Sequence, residues 1–247
     1  MRAQGLPSRI SPRARYAARL TCPPVVWIAI TAARNRGWLP VPEADRVTAG
    51  TTGGQDLDAY WDPEYAKILD TWGDGNVWAE IPLLLWAFEG PVLDIACGTG
   101  KTMESLEPLQ GVKVYGCDIS DLLIDKAAER GIARERLEVC DARDTPYADG
   151  HFAAFYSIGS LEHFPDDTIP AFLRECRRVT RGPTFHQIPV ASSGRDEGWI
   201  RQSHQSFHNN SVSWWLERFR AVYPTVSVLD STWRGGPSVG RWFICAP

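Results

Sequence analysis

The sequence has no Cys-x-x-Cys pair, no internal repeat, and no apolar run long enough to span a bilayer. Each absence removes a class of answer. Six scattered cysteines without paired spacing argue against a disulfide framework and for a reduced, cytoplasmic protein. The longest apolar stretch, Pro23 to Ala33, is closed by Arg34 and Arg36, short of the roughly 18 residues a membrane span needs. A net charge of −4 gives no electrostatic case for nucleic acid or a membrane surface. Only five histidines are present, and no metal is expected of them. His204 and His208 are four apart, but Asn209-Asn210 implies a loop there, not a helix that would aim both at one ion.

Acidic residues are missing from the first 42 positions, where seven arginines fall between Arg2 and Arg36. That bias fits a disordered extension over residues 1–55 and, less well, a transit peptide. Residues 56–247 then read as one domain. Two helices over 56–90 cap it, the first opened by Asp62-Pro63 and the second carrying Trp78, Ile81, Leu85 and Phe88 on one stripe. Strands and helices alternate after that, with strands at 91–96, 112–117, 136–140, 152–158, 183–189, 225–229 and 241–245. Helices are expected over 101–109, from Ser120 to Gly131, from Asp166 or Asp167, and from Asn210 or Ser211. Apolar strands alternating with helices predict an α/β, Rossmann-like doubly wound sheet of seven strands, mostly parallel, the last antiparallel, with helices on both faces. Residues 190–210 carry no clear element and form a substrate-side insertion.

The most informative stretch is Val92-Leu93-Asp94-Ile95-Ala96-Cys97-Gly98-Thr99-Gly100. It reads as a strand, a tight small-residue turn and a helix start, a place where backbone approaches a ligand closely. Asp94 decides between ligands. A carboxylate here repels the pyrophosphate of a nicotinamide dinucleotide and holds an ammonium group. Three further strand ends carry polar residues on the same edge of the sheet: Asp118-Ile119-Ser120, Cys140-Asp141-Ala142, and Ser157 through His163. An ionised carboxylate at Asp118 accepts both hydroxyls of a ribose.

In this ordered combination, over about residues 57–247, the sequence resembles the class I S-adenosylmethionine (SAM)-dependent methyltransferases. The resemblance implies SAM as cofactor and S-adenosylhomocysteine (SAH) as product. Asp94 would hold the methionine ammonium; Ala96, Cys97, Gly98 and Gly100 would form the cofactor turn. Asp118 would take the ribose with Ile119 against the adenine, Asp141 and Ala142 would read the adenine edge, and Ser157 would lie beside the methionine part. Two departures stand out. Ala96 replaces the family's usual Gly, which implies a slightly different turn, and Thr180-Arg181-Gly182-Pro183 replaces a common Lys-Pro-Gly-Gly.

The acceptor side is less specified. Ser203-His204 matches part of a subgroup pattern with small-molecule or glycan acceptors, and a tryptophan follows in the next helix. Trp199, His204, His208 and Trp214 are the candidate acceptor-binding residues, and His163 or His204 the candidate general base, since histidine titrates near neutrality. Most of the 11 tryptophans are expected to pack the core, a few to line a pocket for a flat or sugar-like molecule. The expected activity is methyl transfer to O or N of a small molecule or sugar-type acceptor, by a monomer or homodimer. The alternatives are a catalytically silent SAM-binding protein and, less favoured, a nicotinamide-dependent oxidoreductase.

Overall fold

The computed structural model describes residues 57–73, 77–109, 111–200 and 205–246. The extension expected over residues 1–55 and His204 both lie outside the described residues. The domain begins with α1 (Pro63–Leu69) and α2 (Val77–Leu85). Asp62 opens α1 by accepting from the Glu64 N–H at 2.9 Å, and Pro63 supplies the pre-set φ of a first helical residue. α2 buries Val77, Trp78, Ile81 and Leu85, and keeps Pro82 within its run.

Next come β1 (Gly90–Ile95), α3 (Lys101–Leu106), β2 (Val112–Asp118), α4 (Asp121–Glu129) and β3 (Leu137–Val139). The chain continues through β4 (Ala154–Ile158), α5 (Ile169–Val179), β5 (Thr184–Ala191), β6 (Trp199–Ile200) and β7 (Phe207–His208). It closes with α6 (Val212–Arg220), β8 (Thr225–Gly235) and β9 (Ser238–Ala246). The main sheet has the order β3-β2-β1-β4-β5-β9-β8. The first five strands are parallel, and β9 runs antiparallel to both β5 and β8. The order reverses beside β1, which creates the crevice at the carboxyl ends of β1 and β4 where such sheets bind ligands.

Alternation along the strands divides the core into two layers. Val92, Tyr156, Phe185 and Trp242 pack with α2, α3 and α4 on one face. Leu93, Phe155, Ile188 and Phe243 pack with α5 and α6 on the other. α5 puts Ile169, Phe172, Leu173, Cys176 and Val179 into that second layer, so Phe172→Ala should cost about 3–5 kcal/mol.

Three elements differ from the sequence reading. α5 starts at Ile169, later than expected, because the Asp166 carboxylate is taken by Arg218 at 2.6 and 2.7 Å and does not cap. The stretch read as elementless contains the β6–β7 ladder, Trp199 opposite His208 and Ile200 opposite Phe207. The last two strands are longer than expected and form a hairpin, β8 bulged between Asp230 and Arg234.

Candidate active site

The turn after β1 is built from left-handed backbone: Ala96 has φ 54°, Gly98 55° and Gly100 74°. Ala96 thus adopts the conformation that glycine takes freely, and pays for its Cβ in strain instead of altering the turn. Gly100 cannot be replaced without repacking, since a Cβ there would lie 2.9 Å from that of Ala127 on α4. Cys97 turns inward against Gly116, and burial pushes its thiol well above the ordinary range. It therefore offers this site backbone, not a nucleophile.

Asp94 and Asp118 end adjacent strands at this turn. Asp94 is buried and accepts from the Tyr156 hydroxyl at 2.9 Å. Burial holds its carboxyl well above the usual range, opposed by the Tyr156 hydrogen bond and reinforced by the charge of Asp118. Asp118 accepts from Gly98 N–H at 3.0 Å and Ser120 N–H at 3.1 Å, so one carboxylate ties the turn to the start of α4. Burial lifts it to about 6, against the pull of these backbone donors. Among the described residues neither acid is paired with Lys or Arg. Two buried, uncompensated carboxylates make a place that is stabilised by a cation and by hydroxyl donors. Tyr156 went unnoticed in the sequence because its relation to Asp94 is set by β1–β4 register, with Asp94 opposite Tyr156.

Around this pair, Ser120 caps α4 through Leu123 N–H and donates to the Tyr60 carbonyl. Arg130 reaches from α4 to Asp70 at 2.5 Å and to the Thr99 carbonyl at 2.9 Å, and the Thr99 hydroxyl bonds Asp70 as well. These contacts fasten the end of α1 over the turn. Ile119 is half-buried beyond Asp118 and Ala142 is buried after β3. Asp141 forms a two-pronged pair with Arg143 at 2.5 and 2.9 Å, which lowers its carboxyl pKa.

Ser157 departs from its expected place. Strand alternation turns its hydroxyl to the face opposite Asp94, where it lies 2.9 Å from His186 Nδ1. His186 in turn meets Thr184 Oγ1 at 3.1 Å, and burial depresses its pKa to about 3. This chain is a packed polar thread in the second core layer.

His163 is buried, and its Nδ1 donates to the Ser206 carbonyl at 2.8 Å. Its Nε2 lies 3.6 Å from Glu162 Oε1, and the Gly159 backbone also bonds the ring. Burial lowers His163 to about 4, so the near-neutral titration expected of it is absent. Glu162 is buried with Oε2 unpartnered, and burial raises its carboxyl to about 8.

The other candidate acceptor residues come together, but on one another. The His208 ring packs 4.6 Å from Trp199 and 4.9 Å from Trp214, and Arg218 lies 3.2 Å over the Trp214 ring. His208, lowered to about 4 by burial, and Trp199 each bury a ring nitrogen, Nε2 and Nε1, without a partner. The cluster clamps β6–β7 onto α6. No group of three or more His, Cys, Asp or Glu among the described residues is arranged to hold a metal, and none of the helices there is long and apolar enough to cross a membrane.

Comparison with known proteins agrees with this geometry. Residues 92–182 match the family described as "Methyltransferase domain". The chain is similar to 27-O-demethylrifamycin SV methyltransferase of Amycolatopsis mediterranei, 32% identical over 129 residues, 49% of this chain and 46% of that protein. It is also similar to O-methyltransferase cnsE of Penicillium expansum, 30% identical over 121 residues, 46% of this chain and 44% of that one. The matches thus span less than half the length of these curated relatives. Among solved structures, a Burkholderia thailandensis 1,6-didemethyltoxoflavin-N1-methyltransferase shares the fold at TM-score 0.55 and 18% identity, over 99% of this chain and 94% of that one. The family match runs from within β1 to just past α5: residues 92–182 are a methyltransferase domain, and the sheet that carries them is the Rossmann-like fold of the class I SAM-dependent methyltransferases.

Proposed function

We propose that the protein moves the methyl group of SAM to an oxygen or nitrogen of a small-molecule or sugar-type acceptor. The observation that carries this reading is the pair of buried, cation-free carboxylates, Asp94 and Asp118, on either side of the left-handed turn. They suit a ligand with an ammonium at one end and a ribose at the other. Asp94, oriented by Tyr156, holds the ammonium. Asp118 keeps lone pairs beyond its two backbone donors for ribose hydroxyls. Ile119 covers the adenine. Ala142 and Asp141, the latter held in place by Arg143, read its edge, while Ala96, Cys97, Gly98 and Gly100 contribute backbone.

SAM supplies an already activated methyl, so the chain's task is to hold the acceptor in line with it, a contribution of about 7–11 kcal/mol at best. His163 orients the acceptor through Nε2 and is a weak proton store in its buried state. The names of the relatives, with O-methyl and N1-methyl acceptors, support this range of acceptor atoms.

Calorimetry with SAH, followed by transfer of labelled methyl from SAM to a panel of phenols, sugars and nitrogen heterocycles, tests the reading. Micromolar SAH binding with acceptor-dependent SAH release is expected. Absence of SAH binding, or stabilisation by NAD(P)H instead, overturns it; SAH binding with no turnover across the panel leaves the silent SAM-binding alternative.

A further inference from the structure

Gln187 is fully buried on β5, yet neither its amide nitrogen nor its amide oxygen has a hydrogen-bond partner. Buried amides are almost always satisfied, and this one leaves both functions open at once. Its position is informative. Register places Gln187 beside Ile158 at the end of β4 and opposite Trp242 on β9, on the same face as Asp94 and Tyr156. Two strand spacings and two residues along the sheet put it about 12 Å from Asp94. That is the side toward which an acceptor must lie if Asp94 holds the far end of the cofactor.

The surroundings are aromatic and closely fitted in the empty protein. Gly240 lacks the Cβ that would stand 2.6 Å from the Gln187 amide nitrogen, and Ser231 is the next side chain there. Gly159, whose N–H donates to the Gln187 carbonyl, leaves room for the Trp72 indole, which would meet a Cβ at 2.5 Å. Trp72 packs against Trp233 with ring centroids 5.6 Å apart, and both are half-buried. The neighbouring charge, Glu80, is already occupied by Thr232 and Trp242.

We propose that Gln187 is an acceptor-reading residue: its amide pairs edge-on with a planar acceptor that presents a hydrogen-bond donor and acceptor side by side, as a lactam does, in the place the Trp72 indole holds beside Trp233 in the empty protein. A primary amide offers one N–H and one C=O in a plane, the pattern that reads such an edge with two parallel hydrogen bonds. The Trp72 indole rests on Gly159 in place of the acceptor ring and moves aside when the ring enters. The inference rests on the methyl-transfer reading and names its acceptor class.

The test uses the SAH-loaded protein, 2-quinolone, and N-methyl-2-quinolone, which keeps the ring and carbonyl but lacks the donor. Titration by calorimetry and tryptophan fluorescence should show 2-quinolone binding about tenfold tighter or more. Gln187→Leu should equalise the two ligands, leave SAH affinity unchanged, and raise the melting temperature of the empty protein, because it removes an unpaired buried amide. A residue of purely structural value would lower it. Equal affinities in the unsubstituted protein, no binding of either ring, or a preference retained in Gln187→Leu overturns the inference while the SAM reading stands. Failure of SAH itself to bind removes both.

Discussion

The β1–β3 side of the sheet and the β5–β9 side treat buried polar groups in opposite ways. On the first side Asp118 is held by two backbone donors, Ser120 caps α4, and Thr99 is tied to Asp70. Among the described residues, every buried side-chain nitrogen or oxygen without a partner comes from Glu162 or later, including both amide atoms of Gln187. The difference follows from what each side meets. A cofactor of fixed shape is read by backbone and carboxylates that a short motif can specify. The other side is assembled from side chains that only packing brings together, and of its unpaired atoms the Gln187 amide is the one we assign to the acceptor.

The strongest attack on the cofactor side is Asp118→Ala. It removes a charged acceptor and frees the turn from α4, and should weaken SAH binding at least about 100-fold, as read by calorimetry. An unchanged dissociation constant would remove Asp118 from the site. Tyr156→Phe is milder. It leaves Asp94 in place with one donor fewer, and about tenfold weaker binding is expected. If Tyr156→Phe costs nothing, Asp94 does not bind as oriented here.

Glu162 sits at the seam and gives the comparison a pH signature. Its carboxyl keeps a proton to about pH 8 in the folded chain and loses it at 4.5 when unfolded. The folded state then binds more protons between those values, so stability falls as pH rises through that window. Asp118, raised to about 6, adds the same sign between its ordinary 3.8 and 6. Below pH 6.5 the buried histidines His163, His186 and His208, held neutral in the fold, contribute the opposite sign, so the melting temperature should decline between pH 6.5 and 8, and Glu162→Gln should flatten that decline and be the more stable protein above pH 8. Parallel profiles for the two proteins would place the Glu162 carboxyl in a solvated setting.

The smallest effect is at Ala96. Glycine relieves about 1–2 kcal/mol of left-handed strain and costs about 0.5–1 kcal/mol in chain entropy. Ala96→Gly should therefore raise the melting temperature by a degree or a few, visible in a calorimetric scan. A lower value would mean that the alanine methyl packs productively.

How far the sequence reached depends on the kind of constraint. The seven-stranded sheet and the turn at 96–100 were legible because local patterns encode them: apolar runs, Gly spacing, Ser120 as a cap. The start of α5 was misplaced because Asp166 is claimed by Arg218, 52 residues away. The family resemblance implies a place beside the cofactor for Ser157, but strand parity turns its hydroxyl to His186 on the other face. Trp199, His208 and Trp214 come together by stacking on one another, a packing choice no spacing reveals.

The sequence by itself determined the strand–helix alternation and the acids at successive strand ends, since each depends on neighbours a few residues apart. Tertiary structure alone decided which atoms go unpaired. Register set Tyr156 against Asp94 and Gln187 beside Trp242, and burial moved His163 and Glu162 to about 4 and about 8. Desolvation and hydrogen bonding across a sheet depend on what arrives from distant parts of the chain, and no local window holds that information.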